Sequence, residues 1–372
     1  MCRIMTITMT LVSAFSLLAT SQPQADGCAA VPRLNGPSIS IAEESAIIVW
    51  VPAKKVQHFI RRAAFDTKSP DFGFLVPTPT LPKLPLEEVE DGIFHVMDTW
   101  MLPKTVEQTR WKNEPFLGMF CCLIGATKAP MAADMAKKDG VRVLHEQKVG
   151  GFETAVLEAD NTEDLGNWLK KNGYSNDPEL QSWLVPYVGA KWKITAFKIM
   201  QDPKSGQLAT TKAVRMTFAT ERPFFPYREP EGKKVDKDGL PLKEKERDRR
   251  MLRVLFVSGA RMEGMLGAKA WHASVKWSDQ LTDAQRKQVA ADTGVPEADI
   301  PDKAWLTTFE DSASPRPGSE EVYFDLAKDQ TPIVPPPFIK YNDIWIPIDC
   351  TLFVAVVLLI VIVVLARKTR LI

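Results

Sequence analysis

The sequence predicts an α+β protein, mainly antiparallel sheet with a few packed helices, set between an N-terminal signal peptide and one C-terminal transmembrane helix. Three observations predict it. Short β-branched and aromatic runs recur along the chain with few helical segments between them, which points to α+β rather than to repeated βαβ units. Twenty-eight prolines among 372 residues favour loops, edge strands and extended connections over a helical bundle. Both ends carry uncharged apolar runs of the kind that meet a membrane.

At the start, Met1-Cys2-Arg3 supplies a positive charge and Ile4 to Ala19 follows without any. Small residues at Ala19-Thr20-Ser21 and Ala25-Asp26-Gly27 suit a signal peptidase, so residues 1–25 are expected to be a secretory signal. An uncleaved amphiphilic start is the alternative. A lipoprotein signal ending at Cys28 is a lesser one, because Ala25 stands where a larger aliphatic residue is usual.

From Ser45 the run SAIIVWVPAKKVQHFIRRAAF predicts a hairpin turning at Pro52-Ala53-Lys54-Lys55. Asp71 to Pro77 is a short strand, Thr78 to Pro85 an extended connection, and Leu86 to Met101 a helix by the spacing of Ile93, Val96, Met97 and Trp100. Val141 to Leu144 and Thr154 to Glu158 read as paired strands. Thr162 to Asn172 is a helix capped at Thr162 and stopped by Gly173, and Asp177-Pro178 opens another. Strands are expected at Trp192 to Met200, Ala213 to Thr220, Met251 to Ser258, Ser274 to Trp277 and Trp305 to Phe309, with a short helix near Ala284 to Ala290. Glu231 to Arg250 is highly charged and reads as a solvated loop.

Residues 28–330 thus form an extracytoplasmic domain, with a subdomain break admissible near residues 125–140. Residues 331–343 are a Pro-rich spacer, 344–366 the transmembrane helix and 367–372 a basic cytoplasmic tail. Cys350 to Ala366 holds no charge; Trp345 flanks it outside, and Arg367, Lys368 and Arg370 flank it on the side the positive-inside bias places in the cytoplasm. The expected partner of this segment is the lipid bilayer.

Basic and acidic side chains number 47 and 46, so no overall field draws a phosphate backbone, and nucleic acid is not an expected partner. GxGxxG, GxxxxGK[ST], HExxH and GxSxG are absent. His58, His95, His145 and His272 are far apart without metal-ligand spacing. No catalytic, cofactor or metal residues are therefore assigned, and no cofactor is expected. Cys28, Cys121 and Cys122 would share an oxidising compartment, where Cys28 can pair with Cys121 or Cys122, or those two with each other. In Arg222 to Pro230, three aromatics stand between prolines. They either plug the core or, as a sharper expectation, leave Phe224, Phe225 and Tyr227 as a rigid contact loop for a partner.

The segments SAIIVWVPAKKVQHFIRRAAF, DFGFLVPTPT, NWLKKNGY and RPFFPYREP resemble the secreted bacterial family filed as domain of unknown function 2330. The resemblance spans about Cys28 to Phe309 and implies an exported, often membrane-tethered domain without an assigned reaction. Two readings stay open. The first is a non-catalytic module binding an envelope protein or glycan; the alternative is a hydrolase or redox enzyme whose site assembles from scattered residues.

Overall fold

The structure, a computed structural model, describes residues 28–37, 39–114, 147–149, 152–200, 208–230, 250–313 and 320–368. The expected signal peptide, Cys121, Cys122, the break near 125–140, the strand at Val141 to Leu144, His145, the loop from Glu231 and Arg370 lie outside these residues.

The expected hairpin is the spine of the fold. β2 (Ile39–Val51) and β3 (Val56–Thr67) pair antiparallel, and Lys55 closes their turn in the left-handed region at φ 51°. Beyond β3 stand β11 (Ala213–Ala219) and β5 (Glu87–Val89), with β10 (Leu208–Thr210) also on β3. Beyond β2 stand β13 (Met251–Ser258), β17 (Trp305–Asp311) and β16 (Ser274–Gln280). A second sheet runs β1 (Ala29–Val31), β4 (Asp71–Thr78), β9 (Lys193–Met200), β8 (Phe152–Leu157) and β7 (Gln147–Val149). A small third sheet orders β12 (Phe224–Phe225), β18 (Val322–Leu326), β14 (Met262–Leu266) and β15 (Lys269–Ala270). Among the described residues the pairings are antiparallel except β13 with β2 and one pair at the C-terminus described below.

Both main sheets are covered on both faces, which explains the unbroken apolar run of β2. Ala46, Ile48 and Trp50 point into the space between the sheets, where they join Phe59, Phe65, Phe72, Phe74, Phe197 and Phe256. Ile47 and Val49 point the other way, towards α1 (Gly92–Trp100) and α4 (Asp283–Thr293). The opposite face of the second sheet packs Leu75, Ile194 and Ala196 on α2 (Thr162–Lys171) and α3 (Pro178–Gly189). The order is therefore helices, sheet, sheet, helices.

Local chemistry corrects some boundaries. The helix expected over Leu86 to Met101 begins only at Gly92, because Glu87–Val89 is captured by β11 as a strand. Asp91 spends its carboxylate on the Ala213 amide at 2.9 Å rather than on capping α1. Asn161, not Thr162, caps α2, accepting the Asp164 amide at 2.8 Å; Gly173 ends that segment at φ 82° as expected.

The C-terminal region departs most from expectation. The Pro-rich segment is not a free spacer, since Ile333 exchanges two backbone hydrogen bonds of 2.7 Å with Ser278. Residues 338–347 are a strand, β19 (Phe338–Pro347), so the expected helix starts at Ile348 rather than at residue 344. β19 pairs parallel with β6 (Thr105–Glu114) from Phe338 opposite Thr105 to Pro347 opposite Glu114. This two-stranded ribbon stands apart from the other sheets and leads directly into α5 (Ile348–Lys368).

Candidate functional site

The proline-rich stretch proposed as a contact loop is buried. Phe224, Phe225 and Tyr227 each show no exposure, which overturns the expectation that they form a surface for a partner. Its prolines supply no ladder donors, and side chains from the surrounding elements satisfy the backbone instead. Gln57 brackets Phe224, donating to its carbonyl at 2.8 Å and accepting its amide at 2.9 Å. Trp183 Nε1 donates to the Arg228 carbonyl at 2.7 Å, and the Cys28 thiol lies 3.6 Å from the Pro226 carbonyl. Glu321 Oε2 accepts the amides of Tyr227 and Arg228 at 2.6 and 3.1 Å. The stretch is a hub joining both sheets, α3 and the small third sheet.

Beside it lies an ionic chain inside the core. Glu44, fully buried, accepts from Arg61 Nε at 2.7 Å and from Arg250 Nη2 at 2.9 Å. Arg250 also pairs with Glu229. The Arg61 guanidinium sits 4.0 Å over the Phe74 ring, which supplies a cation–π contact in a desolvated place. Opposite charges alternate from Arg61 to Glu229, so each ion there has a counter-ion, the condition for keeping charges in an interior.

Glu321 differs, because hydroxyl and amide donors rather than a guanidinium or ammonium hold it. Its oxygens take the Tyr187 hydroxyl and the two amides, and burial raises its pKa to about 7 against those stabilising bonds. The unfolded carboxyl titrates near the ordinary 4.5, so between these values the folded state holds the proton more tightly. Stability from this group is full below about pH 4.5 and is lost as pH rises to about 7. Thermal unfolding across pH 4–8 is expected to show this decline in the wild type and a shallower one in Glu321→Gln. Equal slopes in the two proteins would remove Glu321 as its source.

His58 and His272 bond to neighbouring side chains, and His95 is exposed on α1. His58 contacts Thr217 Oγ1 through Nδ1 at 2.9 Å, its Nε2 lies 3.3 Å from Asp299, and burial lowers its pKa. His272, partly exposed, lies with Nε2 3.0 Å from Asp311 Oδ1, while Tyr227 donates its hydroxyl to Asp311 Oδ2 at 2.7 Å. Cys28 is a free thiol among the described residues, fully buried, with its pKa raised to about 12 by burial. That keeps it a thiol rather than a thiolate in this form. A cavity between the sheets beside Arg61 and Phe74 measures about 30 Å³, room for about one water molecule. A second, polar cleft of about 310 Å³ is lined by Glu43, Ser45, Arg62, Asp91, Thr210 and Thr211. Neither cavity is lined by His58, His272 or Cys28. Among the described residues no cluster of His, Cys, Asp or Glu could hold a metal ion.

At the C-terminus, no helix is long and apolar enough, among the described residues, to cross a membrane. α5 has 21 residues by its backbone, and its side chains are described from Val354 onwards. From there to Leu365 every side chain is apolar and exposed, and Arg367 and Lys368 fall in its last turn. Trp345 lies in β19, with its side chain outside the described residues. The ribbon is held by exposed ion pairs, Lys340 with Glu107 and both Arg110 and Lys112 with Asp343, each at 2.9 Å.

No curated protein matches this chain. A crystal structure of baculovirus P35 is similar over 78% of this chain and 98% of that one, at 6% identity and a TM-score of 0.35. That likeness is too low to carry an argument. A family model described as an uncharacterized protein conserved in bacteria covers residues 22–238, ending short of the expected Phe309 but including the proline-rich hub. The chain belongs to this bacterial family, domain of unknown function 2330.

Proposed function

We propose that the protein is a membrane-tethered extracytoplasmic module of the bacterial envelope, which binds an envelope protein or glycan rather than catalysing a reaction. The observation that carries the tether is α5, whose described side chains from Val354 to Leu365 are apolar on every side and exposed. A helix apolar all round needs either a protein core or lipid around it. The charge-free sequence Cys350 to Ala366 gives 17 residues, about 26 Å of helix against a hydrocarbon core of about 30 Å. Asp349 bounds this run on the outer side, a modest shortfall that a locally thinner bilayer accommodates, and Arg367, Lys368 and Arg370 favour a cytoplasmic tail.

The binding reading is supported by what the buried polar groups do among the described residues, where they hold backbone amides and one another. The Asp311–His272 pair, the feature best suited to an enzyme, is tied to the hub by the Tyr227 hydroxyl. A disulfide from Cys28 to Cys121 or Cys122 remains part of the proposal for the exported form.

Fractionation of cells tests the tether. The full chain is expected with the membranes and accessible to protease added to spheroplasts, whereas a chain ending at Pro347 is expected in the soluble extracytoplasmic fraction. Retention of that shortened chain in the membrane would remove α5 as the anchor.

A further inference from the structure

We propose that the β6–β19 ribbon is itself a lipid-contacting element, which sets Trp111 into the headgroup layer beside the point where α5 enters the bilayer. The inference rests on the tether proposed above and extends it to a strand some 240 residues earlier in the chain.

Parallel pairing is the reason the geometry works. Because β6 and β19 run in the same direction, the end of β6 arrives where β19 passes into α5, with Glu114 opposite Pro347. Residues at one level of the ribbon share a face, so Trp111 and Ile344, paired in register, project together. Both are solvent-exposed, Trp111 at 64% and Ile344 at 41%. Along that face the chemistry changes towards the helix. Beyond Phe338 at the body end come the Lys340–Glu107 ion pair, then Asn342 and Thr109, then Trp111 and Ile344. A face made for a second copy of the chain would bring its apolar residues together in the middle of the contact, with the polar ones at the rim.

The depth follows from where the span begins. The charge-free run of α5 begins at Cys350, and Asp349 before it marks the polar boundary of the span. Three strand steps from Pro347 to Ile344 rise about 10 Å, so an upright ribbon would hold Trp111 beyond a headgroup layer of about 5–8 Å, whereas a ribbon leaning on the surface brings it in. As proposed, the ribbon therefore leans towards the membrane, so that the exposed face carrying Trp111 and Ile344 meets the headgroups. Trp is the side chain best suited to that layer, apolar in body with one donor for the headgroups. A two-stranded ribbon is marginal alone in water, and a bilayer beneath it would lend the support that its own sheet lacks.

The test uses the full chain reconstituted in vesicles of phosphatidylcholine and phosphatidylglycerol carrying nitroxide lipids at shallow or deep positions. Subtracting the emission of Trp111→Phe from that of the wild type isolates the Trp111 component, and Trp168→Phe isolates a reference in the globular body. The Trp111 component is expected to be quenched by the shallow nitroxide at least about twofold more than by the deep one, with the Trp168 component unaffected by either. If the chain floats with the vesicles but Trp111 behaves like Trp168, the ribbon contact is overturned and the tether stands. Failure to float overturns the tether, and the contact with it. Shielding of Trp111 from aqueous iodide without quenching by either lipid would show that another copy of the chain covers it, which also overturns the proposal.

Discussion

Replacing Glu44 by Ala is expected to destabilise the fold by about 3–5 kcal/mol, the usual loss when one partner of a buried ion pair is removed. Glu44 is the carboxylate between two guanidiniums, Arg61 at 2.7 Å and Arg250 at 2.9 Å, and no part of it meets solvent. Its loss leaves Arg61 without the Glu44 counter-ion, stacked on Phe74 in the core, and Arg250 with Glu229 alone. Desolvation of the Arg61 charge, rather than the missing attraction, dominates the effect. Arg61→Lys is expected to recover little, because an ammonium reproduces neither the guanidinium fork nor its stacking on Phe74 at 4.0 Å. Glu44→Leu combined with Arg61→Met is expected to cost less than the two single changes added together. Denaturant unfolding of the detergent-solubilised variants measures each value. A loss below about 1 kcal/mol for Glu44→Ala would mean that the ionic chain is solvated in solution.

The reason Glu44 was not visible in the sequence is a single register shift. A bulge between Ile41 and Glu43 changes which residues of β2 face inwards. After it, Glu44 takes the same side as Ala46, Ile48 and Trp50, while Glu43 is exposed. Read as plain alternation, the pair Glu43-Glu44 looks like a solvated strand end. The hairpin itself was legible, because both faces of β2 and β3 are apolar and Pro52 to Lys55 marks the turn. Met251–Ser258 was legible for the same reason. β6 was not, since Thr105–Glu114 holds only Val106 and Trp111 as apolar residues. Its partner lies more than two hundred residues away, and the ion pairs that align it, such as Lys340 with Glu107, carry no periodic signal. The His272–Asp311–Tyr227 contacts were hidden likewise, as three elements bring them together.

Replacing Phe224, Phe225 or Tyr227 by Ala is expected to cost about 3–5 kcal/mol in each case, the range for a buried aromatic ring. All three are fully buried, but they fail in different ways. Phe224 packs on Trp192, Phe218 and Tyr323 with centroids 5.2 to 6.0 Å away, so its loss opens the junction of all three sheets. Phe225 meets Phe59 edge to face at 6.0 Å, and its loss weakens the spine hairpin instead. Tyr227 has a polar duty as well. Its hydroxyl donates to Asp311 at 2.7 Å, so Tyr227→Phe keeps the ring against Trp271 and isolates that bond. The expected cost is about 1–3 kcal/mol, because a buried carboxylate loses a donor while keeping those from Ala313 and His272. The same substitution should raise the dependence of Asp311 on His272. Stability of Tyr227→Phe is therefore expected to respond more strongly to His272→Ala than the wild type does, with a positive coupling in the double-mutant cycle. Unchanged melting in any of the three Ala variants would show that the ring is exposed in solution and return the stretch to consideration as a contact loop. Additive costs for Tyr227→Phe and His272→Ala would show instead that Asp311 does not join them.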